Sequence, residues 1–186
     1  LLSYPAFLGG YRKVDEAMRD GRIAGFVRQF MDIDITPYVP APGDTDLELY
    51  KQTLVERFGN RSVSDQIARL CFDGVSKFPV YVVPNLVKMI RDGKPLTRVA
   101  YLIAAYRHYL KYRRDDNGAE FEIAEPAMTE ADCRLIASDD PSDFLGLSAF
   151  GGAGLRGSDA FVSEYLHYVD AIAAHGAMET LDDMLG

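Results

Sequence analysis

The sequence has little of what builds metal centres or thiol chemistry. It holds two cysteines and three histidines in 186 residues. Cys71 and Cys133 are far apart and form no C-x-x-C unit, so there is no disulfide framework and no thiolate zinc motif. His108, His167 and His175 fall on two separate predicted helices, with no Cys or carboxylate at zinc-ligand spacing. No metal is therefore expected, and both cysteines are expected to be buried, reduced thiols of a cytoplasmic protein. Positive charge is also scarce. Lys and Arg number 20 against 28 Asp and Glu, for a net charge of −8 and a pI of about 4.9. That balance excludes nucleic acid and an anionic membrane as partners, since both demand a basic face. There is no apolar run long enough to span a bilayer, no signal peptide, no internal repeat and no low-complexity segment. An initiating Met is missing too. The chain opens on Leu1–Leu8, apolar residues that belong in a packed element, and reads as a piece of something longer.

Apolar residues, by contrast, make up 48% of the chain, enough for one domain, residues 1–186, with a single core. Helical periodicity dominates. Ile23, Phe26, Val27, Phe30 and Met31 follow the i, i+3, i+4, i+7, i+8 rule. A short helix over Val14–Asp20 is expected to stop at Gly21, and Pro37–Gly43 is expected as an extended loop. Thr45 and Glu48 have capping-box spacing ahead of a helix with Leu47, Tyr50, Leu54 and Phe58 on one side. Pro84 argues against a strand in the β-branched run after Pro79, and the spacing of Val82, Leu86, Met89 and Ile90 suits a helix. Long helices follow with Leu96, Val99, Ala100, Ile103, Tyr106 and Leu110 inward, and then Phe161, Val162, Tyr165, Leu166, Val169 and Ile172. Asp115–Gly118 is a turn, and Glu120–Ile123 a brief extended piece. The fold class is all-α.

Two motifs bear on function. Gly152–Gly157 matches G-x-G-x-x-G, but a dinucleotide site needs a strand before it and a strand after the following helix. A glycine-rich stretch precedes it and the chain ends soon after the helix, so it reads as an interhelical loop. The second is the stretch Asp65–Pro79. It reads as a helix that stops at Asp73-Gly74, turns, and restarts at Pro79. Arg69 then lies in the last turn of one helix, and Lys77 just before the next. Asp65, Arg69 and Asp73, each four apart, can form an exposed ion-pair ladder. Alternatively Arg69, a fixed fork of donors, and Lys77, a compact rotatable one, hydrogen-bond an oxygen-rich small molecule. With no nucleophile–base pair beside them, they would position a substrate rather than transform it.

Tyr11-Arg12, Glu16-Ala17-Met18, Asp32-Ile33-Asp34-Ile35-Thr36-Pro37, Tyr50-Lys51-Gln52-Thr53-Leu54, Glu56-Arg57-Phe58 and Asp73-Gly74-Val75-Ser76-Lys77-Phe78-Pro79 together resemble the C-terminal domain of the polyol-specific long-chain dehydrogenases of the mannitol 2-dehydrogenase kind. The resemblance implies an enzyme that interconverts a sugar alcohol and a ketose with NAD or NADP and without metal. It implies that the cofactor is bound mainly by an N-terminal Rossmann domain of the same protein. It places the catalytic Lys-x-x-x-x-Asn-x-x-His stretch upstream of Leu1, and so no catalytic residue in this chain. It puts the substrate-binding arginine and lysine at Arg69 and Lys77. Val75 departs from the pattern, which reads Asp-Gly-Ser-Ser-Lys, and removes whatever contact that serine makes. On this reading the fragment alone is inactive. Two rivals stand beside it: a fructuronate or tagaturonate reductase of the same family, and a non-enzymatic helical interaction module with an exposed apolar patch as its working surface.

Overall fold

The computed structural model describes residues 2–39, 46–62 and 64–186. Eleven α-helices run through these residues, with no strand among them. The first apolar run is helix α1 (Ser3–Leu8), buried along its whole length. Helix α2 (Val14–Ala17) follows. Helix α3 (Gly21–Gln29) starts where Asp20 accepts a hydrogen bond from the N–H of Arg22. Gly21 therefore opens a helix instead of stopping one. The acceptor that Asp20 supplies outweighs the low helix propensity of glycine at an end. The expected apolar stripe of α3 is buried and continues past it into a wider π-helical segment, Phe30–Ile35. Thr36–Tyr38 is a 3₁₀ turn where an extended loop was expected. Pro40–Gly43 and Thr45 lie outside the described residues. Asp46, next to Thr45, caps helix α4 (Leu47–Gly59) by accepting from the N–H groups of Glu48 and Leu49.

The corner expected to hold Arg69 and Lys77 differs from the sequence reading. Helix α5 spans only Ile67–Cys71, and helix α6 spans Gly74–Tyr81. Asp73, not glycine, takes the left-handed conformation between them, at φ 55°. Gly74 starts the second helix, and Pro79 sits inside it, so Lys77 is helical. Short polar Asp tolerates this conformation, which leaves Gly74 for a tighter constraint described below. Helix α7 (Val83–Arg91) restarts with Pro84 in its first turn and buries Leu86 and Met89.

Helix α8 (Thr97–Tyr112) is the axis of the fold. Eleven of its residues are buried, including Tyr101 and Tyr106 at 0% exposure, so it is apolar nearly all round, as a central helix must be. Helix α9 (Glu130–Ala137) begins with a capping box of Thr129 and Asp132. Short 3₁₀ turns at Pro141–Gly146, Ser148–Phe150 and Leu155–Gly157 lead into helix α10 (Asp159–His175), which packs along α8. The G-x-G-x-x-G stretch is thus a connection between turns, with Gly152 and Gly154 at positive φ. Helix α11 (Ala177–Leu185) is capped by Asp116, whose carboxylate accepts from the N–H groups of Ala177 and Met178 at 3.0 and 2.9 Å. No helix among the described residues is long and apolar enough to cross a membrane. Cys71 is buried as expected. Cys133 is exposed, contrary to the expectation, because it lies beside rather than on the narrow buried edge of the short α9 that carries Asp132 and Ile136.

Candidate functional site at the α5–α6 corner

Three constraints fix the corner. The N–H of Asp73 donates to the carbonyl of Ala124 at 2.9 Å. The N–H of Val75 donates to Glu125 Oε2 at 3.0 Å, and Tyr106 Oη donates to Glu125 Oε1 at 3.0 Å. Gly74 fits between these groups only because it lacks a side chain. A Cβ there would stand 2.2 Å from Tyr4 Oη, 2.8 Å from Tyr106 Oη and 2.9 Å from Glu125 Oε1. Burial pushes the Glu125 carboxyl above its ordinary range, while the hydrogen bonds from Val75 and Tyr106 act against that. Burial likewise raises Tyr4 and Tyr106 and pushes the Cys71 thiol up to about 12, so none of these groups ionises near neutrality. Val75 is buried. Its side chain joins the core, and its N–H is taken by Glu125.

Lys77 reaches back from α6 to the end of α5. Its Nζ donates to the carbonyls of Arg69 and Leu70 at 3.3 and 3.2 Å, which places a cation on the last turn of that helix, where the dipole favours it. An ammonium has three donors, so one remains for another acceptor. Lys77 lines a cavity of about 420 Å³, large enough for a small molecule. Buried Tyr4, Phe78 and Leu102 form its inner wall. At its mouth stand Val39, Tyr50 and Tyr81, which are 42%, 60% and 70% exposed. The cavity has a second cation, Lys51, but its Nζ is held by Asp32 at 2.5 Å and by Glu48.

Arg69 is placed differently. Its side chain is 79% exposed, pairs with Asp65 at 3.1 Å and does not line the cavity. The two residues are brought together through the backbone, since Lys77 holds the carbonyl of Arg69, and not through their charged heads. The Asp65–Arg69 rung of the possible ladder is present. Asp73 does not complete it, and its Oδ1 is buried with no hydrogen-bond partner among the described residues.

Several residues of the quoted motifs hold the frame. Tyr11 Oη donates to Asp20, and Arg12 donates to Asp115 at 2.6 Å while stacking 4.3 Å from the centre of the Phe7 ring. Asp34 is buried beneath Arg98, which grips it at 2.6 and 3.1 Å. The sequence reading missed Glu125 and Arg98. Their partners lie 50 and 64 residues away, and no local spacing rule reaches that far.

The chain matches the mannitol dehydrogenase C-terminal domain family over residues 1–173 and belongs to it. It is similar to mannitol 2-dehydrogenase of Aspergillus fumigatus, 33% identical over 181 residues, which cover 97% of this chain and 36% of the relative. It is similar to polyol:NADP oxidoreductase of Gluconobacter oxydans, 35% identical over 81% of this chain and 31% of the relative. Among solved structures, mannitol 2-dehydrogenase of Pseudomonas fluorescens, in a ternary complex with NAD and D-mannitol, superposes with a TM-score of 0.92 at 37% identity, covering 99% of this chain and 37% of that one. The chain thus spans about a third of the length of these relatives.

Proposed function

We propose that this chain is the substrate-binding domain of an NAD(P)-dependent oxidoreductase that interconverts a sugar alcohol and a ketose, in the manner of its mannitol 2-dehydrogenase relatives. The observation that carries the proposal is the α5–α6 corner, which presents the ammonium of Lys77 at a cavity and holds Arg69, exposed, at the end of the preceding helix. A polyol is a row of hydroxyls, and cationic hydrogen-bond donors suit both its hydroxyls and a ketose carbonyl. The apolar rim of Val39, Tyr50 and Tyr81 supports cover by a second domain. On this proposal that domain, part of the same protein, carries the cofactor and the general base. The nicotinamide, when bound, supplies the hydride acceptor.

The part played by this chain is positioning. Lys77, tied to two carbonyls, offers its remaining N–H to one substrate oxygen. Arg69, whose tie to Asp65 is exposed and therefore weak, turns to a second oxygen once water is excluded. Two fixed contacts orient the carbon chain, which contributes as proximity does to any reaction between bound partners. The test is steady-state kinetics of the full-length enzyme carrying Arg69→Ala. A lost charge-assisted hydrogen bond is worth about 1.5–3 kcal/mol, so KM for the polyol is expected to rise roughly 10- to 100-fold while KM for NAD(P) stays the same. Polyol kinetics equal to those of the unaltered enzyme would remove Arg69 from the site.

A further inference from the structure

Glu125 belongs to none of the site residues above, yet it is the group on which the corner rests. It arrives from the connection between α8 and α9, 50 residues beyond Val75. Together with Ala124 it grips the corner at two successive points, the N–H of Asp73 and the N–H of Val75. The carboxylate satisfies a donor in the first turn of α6, which Asp73 leaves uncapped by its own side chain. Lys77 lies two residues further along the same turn. Its Nζ makes only long hydrogen bonds, 3.2 and 3.3 Å, to the end of α5. Those bonds exist only while α5 and α6 keep their mutual setting. Tyr106, at 0% exposure on the central helix α8, fixes Glu125 in turn.

We infer that Glu125 is a positioning residue for substrate binding: by clamping the first turn of α6 to the core, it sets where Lys77 presents its free donor. This rests on the proposed polyol reading for its kinetic consequence, but the clamp itself can be read without a substrate. The titratable groups that face Glu125 are Tyr4 from α1, Tyr106 and Tyr109 from α8, Cys71 from α5 and Asp73. None of them is a cation.

Two measurements separate the clamp from the polyol reading. In the 186-residue chain, acylation of Lys77 by a water-soluble succinimidyl ester is followed by peptide mass spectrometry, with exposed Lys94 as the internal control. Glu125→Ala is expected to speed labelling of Lys77 severalfold and leave Lys94 unchanged. Glu125→Gln, which keeps a carbonyl acceptor, is expected to stay within about twofold of the unaltered protein. In the full-length enzyme the same Ala variant is expected to raise KM for the polyol about tenfold, as loss of one well-aimed contact would, with KM for NAD(P) unmoved and Gln restoring most of the loss. If the Ala variant does not fold, Tyr106→Phe takes its place, since it frees one oxygen of Glu125, and Lys77 labelling is again expected to rise. Unchanged Lys77 labelling in the folded Ala or Phe variant overturns the clamp. Faster labelling in an enzyme that turns over no polyol keeps the clamp and overturns the polyol reading. A fall in thermal stability with neither labelling nor KM altered reduces Glu125 to a structural residue and overturns the inference.

Discussion

Replacing Gly74 with alanine distinguishes packing from helix propensity by sign. Gly74 is the first residue of α6 and does not take a positive φ. On propensity alone, alanine should stabilise the helix by roughly 0.5–1 kcal/mol. The structure predicts the opposite. The added Cβ would meet Tyr4 Oη at 2.2 Å, Tyr106 Oη at 2.8 Å and Glu125 Oε1 at 2.9 Å. Both tyrosines are buried, and their rings are stacked in a cluster with Phe78, with Tyr4 and Tyr106 4.6 Å apart between centroids, so neither swings aside freely. Overpacking of this kind costs about 1–3 kcal/mol. Displacing the Tyr106–Glu125 hydrogen bond adds about 1.5 kcal/mol or more, because the acceptor is a carboxylate. Set against the propensity gain, the net loss is roughly 1.5–4 kcal/mol. For a domain of this size each kcal/mol lowers Tm by about 2–4 °C, so thermal melts followed by circular dichroism should show a Tm lower by roughly 3–16 °C. An unchanged or higher Tm would refute the packing argument, and with it the reason given for glycine at this position.

Arg98→Ala should be the most damaging surface-to-core change. It leaves Asp34, 1% exposed, without its cation, a loss of about 3–5 kcal/mol. Burial already pushes the Asp34 carboxyl above its ordinary range, and removing Arg98 takes away the influence that opposes this. A carboxyl with a raised folded-state pKa contributes stability at low pH and loses it as pH rises through that pKa. The deficit of the variant, measured by urea denaturation, should therefore grow as pH is raised from the unfolded carboxyl pKa of about 3.9 towards neutrality; a deficit independent of pH would refute the assignment. The cysteines should react in two phases. Exposed Cys133 should react at once with an aromatic disulfide reagent, whereas Cys71, buried and with its thiol pushed up to about 12, should react only on unfolding. Two fast thiols in the native protein would contradict the burial of α5.

Much of the frame was legible because its pattern is local. The stripes of α3, α7, α8 and α10 follow helical spacing, and the residues they name are buried or nearly so. The family resemblance was carried by residues that prove to be largely structural: Asp32 with Lys51 and Asp34 with Arg98 form ion pairs that tie one helical segment to another, and Arg12 with Asp115 ties two connections together. What escaped the sequence was set by distant partners. Asp73-Gly74 read as a helix stop because glycine normally supplies the left-handed residue. Here Asp73 takes that role, and the crowding of Tyr4, Tyr106 and Glu125 claims the glycine. Pro79 read as a helix start, but α6 is short enough to carry it near its end. Glu125 gave no sign in its own neighbourhood, because the donors it serves lie on another helix. Arg69 and Lys77 were found as a pair by their place at a helix corner. The direction of their side chains depended on Asp65 and on the carbonyls at the end of α5, which spacing does not reveal.

The central claim is that the α5–α6 corner holds a substrate through Lys77. The direct measurement is the polyol dependence of NAD(P) reduction by the full-length enzyme carrying Lys77→Met, which keeps the length of the side chain and removes the donor. The account predicts a KM for the polyol raised at least tenfold, as expected for the loss of about 1.4 kcal/mol or more of binding, with KM for the cofactor unchanged. Polyol saturation indistinguishable from that of the unaltered enzyme would contradict it.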